Sequence, residues 1–211
     1  MTRAPIRVLI VDDSLLIRRI LTDVLNADPE IEVVGVASDP LIARQQVKRL
    51  NPDVMTLDVE MPHMDGLAFL EKVMTLRPLP VVMVSTLTEA GTEISLRALE
   101  IGAVDVVAKP TGGDGATLED IAEEVVAKVK VAARARLRGG RAKIPAPLAR
   151  VGAHAGETCA VVAIGASTGG VEALRNVLIA MPADAPPIVI VQHMPARFVG
   201  GFAARLNGLS A

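Results

Sequence analysis

The chain reads as an α/β protein: a five-stranded doubly wound sheet, followed by the first βαβα portion of a second parallel α/β domain. Two observations lead there. Short apolar, β-branched runs alternate with longer segments of helical spacing. The 51% hydrophobic content includes only three Phe and no Trp or Tyr, so the core is aliphatic, as in parallel strands covered by helices.

Five βα units come first. Ile6 to Val11, Ile31 to Ala37, Val54 to Leu57, Val81 to Val84 and Val104 to Val107 read as strands. Leu15 to Asn26, Leu41 to Leu50, Gly66 to Leu76, Glu89 to Ile101 and Leu118 to Arg134 carry helical spacing. The character then changes. Lys128, Lys130, Arg134, Arg136, Arg138, Arg141, Lys143 and Arg150 occur without an intervening acid, among Ala, Gly139-Gly140 and Pro145-Ala146-Pro147. That composition describes a frayed helix end entering a solvated linker, with docking on an acidic partner or membrane surface as the alternative. A second unit follows: strand Ala160 to Ile164, helix Val171 to Met181, strand Ile188 to Val191 and helix Arg197 to Leu206. The expected division is residues 1–130, a basic linker over 131–157, and 158–211 as the N-terminal fragment of a domain. The last piece is too short for a parallel sheet to cover both faces and both edges.

Composition narrows the function classes. A formal net charge of -2 gives no global attraction to phosphate backbones, and the lack of Trp and Tyr removes base stacking, so nucleic acid is not an expected partner. The single Cys159 cannot form an internal disulfide and lies in an apolar run, as a small core residue does in a reducing compartment. No run approaches the roughly 20 apolar residues that span a bilayer, and Ile6 to Val11 is too short for a signal segment. A cytoplasmic protein without membrane insertion is expected.

Asp12 and Asp13 follow the first strand, Asp58 the third, Ser85 the fourth, and Lys109 with Pro110 the fifth. In a parallel sheet these all fall on the carboxyl edge. Each alone reads equally as a cap, a turn residue or a surface charge. Together they place three carboxylates where a hard cation such as Mg²⁺ relieves their repulsion. Asp58 can then attack a phosphoryl group while Lys109 neutralises the equatorial oxygens and Ser85 donates to one of them.

Val11-Asp12-Asp13-Ser14, Leu57-Asp58-Val59-Glu60-Met61-Pro62, Met64-Asp65-Gly66, Val84-Ser85-Thr86-Leu87-Thr88 and Ala108-Lys109-Pro110 resemble the receiver domain of bacterial response regulators, over residues 1 to about 130. The resemblance implies a flavodoxin-like fold with Asp58 as phosphoacceptor. It also implies Mg²⁺ held by Asp12, Asp13, Asp58 and the Glu60 backbone carbonyl, and a cis Lys109–Pro110 peptide. It departs at Val106, where many receivers carry an aromatic switch residue, so aromatic rotamer signalling is not implied.

Gly165-Ala166-Ser167-Thr168-Gly169 fits the G-x-S-x-G turn between a strand and a helix that exposes a nucleophile. A serine-capped glycine turn and a phosphate cradle are the other readings. His193 follows the next strand, which the right-handed crossover places parallel and near the same edge. His63 and His154, in a turn and the linker, look incidental. Ile164-Gly165-Ala166-Ser167-Thr168-Gly169-Gly170-Val171-Glu172-Ala173-Leu174, Val191-Gln192-His193-Met194-Pro195 and Phe202-Ala203-Ala204-Arg205-Leu206-Asn207 resemble the catalytic domain of the chemotaxis protein-glutamate methylesterases. The resemblance implies Ser167 as nucleophile and His193 as general base. The implied reaction is hydrolysis of methyl esters, and deamidation of glutamines, on methyl-accepting chemoreceptors, with a histidine kinase supplying phosphoryl groups to the receiver. The family's third triad acid lies in a later glycine-rich segment without a counterpart here, and Asp184 and Glu172 are poorly placed to replace it. The chain is therefore expected to be truncated and weakly active. A receiver-type binding module without esterase activity is the alternative.

Overall fold

β1 (Ile6–Val11) sits inside a five-stranded sheet with β2 (Ile31–Ala37) on one side and β3 (Val54–Asp58) on the other. β4 (Val81–Ser85) and β5 (Asp105–Ala108) complete the order β2-β1-β3-β4-β5. Every pairing is parallel. The order reverses direction between β1 and β3, which opens a crevice at their carboxyl ends. A computed structural model describes residues 4–61, 65–85, 89–109, 118–135 and 161–210. The chain divides into two units, Met1–Gly140 and Arg141–Ala211.

The helices of the first unit are α1 (Leu15–Asn26), α2 (Pro40–Leu50), α3 (Gly66–Leu76), α4 (Glu89–Ile101) and α5 (Leu118–Ala132). Their starts follow from capping chemistry. The Ser14 side chain accepts from the Ile17 N–H, that of Asp39 from Leu41 and Ile42 ahead of a first-turn Pro40, and that of Asp65 from Leu67. Val8, Ile10, Val54, Val82, Val84 and Val107 form one buried face with Leu21 and Leu25 of α1 and Val125 and Val129 of α5. Leu9, Met55, Leu57 and Met83 alternate with them and are also buried. Burial on both faces explains why these strands are continuous apolar runs.

Several expected boundaries shift by a residue or two. β3 and β4 extend to Asp58 and Ser85, because the ladder continues through Asp58↔Val84 and Ser85↔Ala108. β5 begins at Asp105 rather than Val104 and runs one residue past Val107, to Ala108, which pairs with Ser85. α5 stops at Ala132 instead of Arg134, since Arg134 and Ala135 turn back to the carbonyls three residues earlier. α2 starts at Pro40, where the Asp39 cap precedes it.

The basic run also needs correction at its start. Lys128 lies in α5 as expected, but not on a frayed end: it is buried, donates to the Val106 carbonyl at 2.6 Å and pairs with Asp105 and Glu124. Lys130 pairs with Asp28 and Glu30. Both charges are met inside the first unit, Lys128 by Asp105 and its helix neighbour Glu124, Lys130 by two acids distant in sequence. The rest of the expected linker beyond Ala135 lies outside the described residues, as do the Lys109–Pro110 peptide, His63, His154 and Cys159.

The second unit contains β6 (Val162–Ala166), α6 (Gly170–Ala180), β7 (Ile188–Gln192) and α7 (Ala196–Leu209). β6 starts later than expected, at Val162, and β7 runs on to Gln192, which pairs with Ala166. α6 and α7 start one residue early, and α7 continues to Leu209. The two strands are parallel, and among the described residues no third strand joins them. Leu174, Phe198 and Phe202 supply the buried side. Ala163, Gly165, Val189 and Val191 face outward along the exposed side.

Candidate functional sites

The first site is built by strand ends. Asp58 is the last residue of β3, Asp12 and Asp13 leave β1, Ser85 closes β4, and Lys109 follows β5. The structure brings Asp12, Asp13 and Asp58 together: one ligand atom from each lies within 4.8 Å of the others. Asp12 and Asp58 are buried and Asp13 is exposed. Lys109 Nζ lies 2.9 Å from Asp12 Oδ2 and 2.7 Å from Asp58 Oδ2. Among the described residues these oxygens meet the ammonium as ion pairs with no further aligned donor.

Backbone groups hold the opposite sides. The Ser14 N–H donates to Asp12 Oδ1 at 2.9 Å and the Glu60 N–H to Asp58 Oδ1 at 3.2 Å. The Lys109 N–H donates to the Ser85 carbonyl at 2.8 Å, so the buried Ser85 helps fix Lys109 through its main chain. Gly66 closes the loop over β3: a Cβ there would meet the Asp58 carbonyl oxygen at 2.3 Å. Burial pushes the Asp58 carboxyl up to about 6, against the lowering pull of Lys109. Burial also opposes the Lys109 charge, but its bonds to Asp58 and Asp12 outweigh this and hold the ammonium above the usual lysine value.

Three carboxylates against one ammonium leave two negative charges in excess, the charge of one divalent cation. The donors are all hard oxygens, and the exposed Asp13 gives access from solvent. This donor set fits a hard cation that keeps several waters.

The second site joins two turns. β6 delivers Ser167 and β7 delivers His193, because the His193 N–H continues the ladder onto the Ala166 carbonyl at 2.8 Å. The serine Oγ lies 3.3 Å from His193 Nδ1, and both residues are exposed. Gly169, at φ 77°, adopts the left-handed conformation that starts α6. The first-turn N–H groups of α6 and its positive dipole end therefore lie next to Ser167 in the chain.

Two contributors escaped the sequence reading. The Gln192 amide donates to the carbonyls of Ser167 at 2.9 Å and His193 at 3.1 Å, linking the two turns. It fills the space beside Gly170, where a Cβ would sit 2.1 Å from Gln192 Oε1. Arg18 Nη1 donates to the carbonyls of Asp12 at 2.7 Å and Asp13 at 2.8 Å. Neither has a sequence signal beyond its nearness to a motif, because both contacts depend on how neighbouring turns meet. Asp184 and Glu172 stand after and within α6.

The family description "Response regulator receiver domain" matches residues 8–121, and "CheB methylesterase" matches residues 162–211. A protein-glutamate methylesterase/protein-glutamine glutaminase 1 of Xanthomonas campestris pv. campestris is 55% identical over 98% of this chain. The alignment covers 60% of that relative, so the chain spans about three-fifths of its length. Among solved structures, the response regulator domain of Thermotoga maritima CheB is similar at 41% identity and a TM-score of 0.57. That match covers 64% of this chain and all of the other. A structure of the P1 domain of CheA3 in complex with CheY6 from R. sphaeroides matches at 30% identity and a TM-score of 0.52, over 63% of this chain and 100% of the matched one. The acidic cluster at the strand ends, the β2-β1-β3-β4-β5 sheet and these matches agree: the chain belongs to the response regulator receiver family and continues into the start of a CheB methylesterase domain.

Proposed function

We propose that this chain carries the phosphoacceptor and the serine-histidine pair of a phosphorylation-controlled, cytoplasmic chemoreceptor methylesterase. The observation supporting this is their occurrence in one chain: Asp58 with Asp12, Asp13 and Lys109 in the first unit, and Ser167 facing His193 in the second. In this reading residues 1–130 form the receiver, 131–157 a basic linker and 158–211 the N-terminal part of the esterase.

Asp12, Asp13 and Asp58, with the Glu60 carbonyl, would hold Mg²⁺, which when bound neutralises charge on the phosphoryl oxygens. The Asp58 carboxylate attacks the phosphorus of a phosphohistidine on a chemotaxis histidine kinase. An O–P bond forms, the N–P bond breaks, and the imidazole leaves. Lys109 exchanges its contact with Asp58 for a phosphoryl oxygen, and the Ser85 hydroxyl donates to another.

In the second unit the Ser167 hydroxyl attacks the γ-carbonyl of a receptor methyl glutamate and His193 takes its proton. The proton passes to the departing methoxide, methanol leaves, and water then releases glutamate from the serine ester. The same steps on glutamine release ammonia.

A specific observation favours a second reading, a phosphoacceptor without esterase activity. His193 turns Nδ1 toward the serine, and both side chains are exposed. Methanol release from methylated receptor membranes by the 211-residue chain, with and without Ser167→Ala, separates the two. Ser167-dependent release supports the esterase. Phosphorylation at Asp58 with no release supports the binding module.

A further inference from the structure

We infer that Arg18 is a positioning residue for the cation site, holding the Asp12-Asp13 backbone so that the Asp13 carboxylate is presented toward Asp12 and Asp58. The inference rests on reading the acidic cluster as a metal site.

Between the end of β1 at Val11 and the start of α1 at Leu15 lie only Asp12, Asp13 and Ser14. The Asp12 N–H still belongs to the sheet, bonded to the Ala37 carbonyl at 3.1 Å. The Ser14 carbonyl already belongs to the helix, accepting from the Arg18 N–H at 3.1 Å. The carbonyls between them, those of Asp12 and Asp13, point into neither ladder. Arg18 Nη1 donates to both, at 2.7 and 2.8 Å, from one turn into the helix. A single half-buried group thus fixes two successive peptide planes, and with them the direction in which the Asp13 side chain leaves the backbone.

The contact is to carbonyls and not to carboxylates. Asp12 Oδ1 is held by Ser14 and Oδ2 by Lys109. Among the described residues no hydrogen bond or ion pair is found on the Asp13 carboxylate, the exposed member of the three. Arg18 therefore orients a ligand without occupying it, the relation expected of groups just outside a metal's ligands.

This role makes a prediction opposite in sign to a simple charge effect. Arg18→Met removes a positive charge near the cluster, so Coulomb attraction alone would tighten cation binding. Loss of positioning weakens it. A residue important only for α1 would lower the melting temperature and leave the affinity of the folded chain unchanged.

The test is Mn²⁺ alone, titrated into the full 211-residue chain and followed by the free-ion electron paramagnetic resonance signal. Arg18→Met is expected to raise Kd about tenfold, the lower end for outer-shell changes, and Arg18→Lys to return it to within about threefold, because its ammonium can still donate to both carbonyls. Equal or tighter Mn²⁺ binding by Arg18→Met, with the wild type binding and Asp13→Ala weakened, overturns the inference and leaves the metal site standing. No Mn²⁺ binding by the wild type, or binding indifferent to Asp13→Ala, overturns the metal site and the inference with it. Should Arg18→Met lose its far-UV circular dichroism, Arg18→Gln decides by the same criterion.

Discussion

Ser167 meets His193 through Nδ1 of the ring, at 3.3 Å. In serine-histidine-acid triads the serine faces Nε2, and Nδ1–H is given to the acid that sets the tautomer. Here the nitrogen usually reserved for that acid faces the Ser167 hydroxyl, so presenting Nε2 to it needs the imidazole ring to be reoriented. Marginal methanol release is expected from the 211-residue chain, with a deficit of about 10⁴ in rate from an unoriented histidine. Ser167→Ala should abolish what remains. Robust turnover that survives this substitution would remove Ser167 from the reaction.

Asp58 alone among the clustered acids should carry the phosphoryl group. Acetyl phosphate with Mg²⁺ is expected to label the wild type, detected as an added phosphoryl mass. Asp58→Asn should show no label, and EDTA should suppress it in the wild type. Equal labelling of Asp58→Asn would relocate the acceptor.

Gly66→Ala should damage the same site from the far side of its loop. The new Cβ would lie 2.3 Å from the Asp58 carbonyl oxygen and 2.8 Å from that of Val59. Backbone cannot swing aside as a side chain can, so the cost is about 1–3 kcal/mol of stability. A displacement of about 1 Å at Asp58 can slow labelling by up to about 10²-fold. Gly165→Ala, where a Cβ meets nothing within 4 Å, is the control and should leave labelling unchanged.

Lys128→Met should destabilise the first unit by about 1–3 kcal/mol, measured by urea unfolding. The Val106 carbonyl loses its 2.6 Å donor, and Asp105 and Glu124 lose their counter-charge. Both acids are partly open to water, which places the effect toward the lower end. A neutral substitution would mean that Lys128 is solvated after all.

The Asp28–Lys130 pair should leave a mark on acid stability. The Lys130 hydrogen bond, then that of the Glu30 N–H, holds the Asp28 carboxyl below its ordinary 3.8. A depressed acid stabilises the fold above its unfolded value, and this is lost as pH falls through the folded value. Hydrogen bonding to Asp28 raises Lys130 above 10.5, so its contribution is present below 10.5 and fades as pH rises through the folded value. The wild type should therefore exceed Lys130→Gln in urea midpoint by a small constant margin from about pH 6 down to about pH 4, closing below 3.8. A margin that persists at about pH 2 would assign it to packing.

The strands were legible because burial on both faces demands unbroken aliphatic runs, which periodicity detects directly. The ends were less so. Asp58 and Ser85 extend their strands because a polar side chain does not stop a ladder whose neighbour continues. The convergence of Asp12, Asp13, Asp58 and Lys109 followed from topology, since parallel strands put all their carboxyl ends on one edge. The burial of Lys128 was not legible because charge pairing between β5 and α5 is invisible along the sequence. Arg18 and Gln192 act on carbonyls, which every residue carries, so composition holds no sign of them. The spacing that brought Ser167 and His193 together could not foretell which ring nitrogen faces the hydroxyl.

The side of the β6 and β7 pair that the described residues leave uncovered has a consequence for the protein's lifetime. Val189 and Val191 are 56% and 70% exposed, beside Ala163 and Gly165, in strands written for two-sided burial. Cellular surveillance reads such surfaces: chaperones bind exposed aliphatic strands, and proteases clear what chaperones do not release. The steady-state level of this polypeptide should then track how often that side is covered rather than how well the receiver folds. Val191→Lys, placed on the open side, should raise abundance while leaving phosphoacceptance at Asp58 untouched.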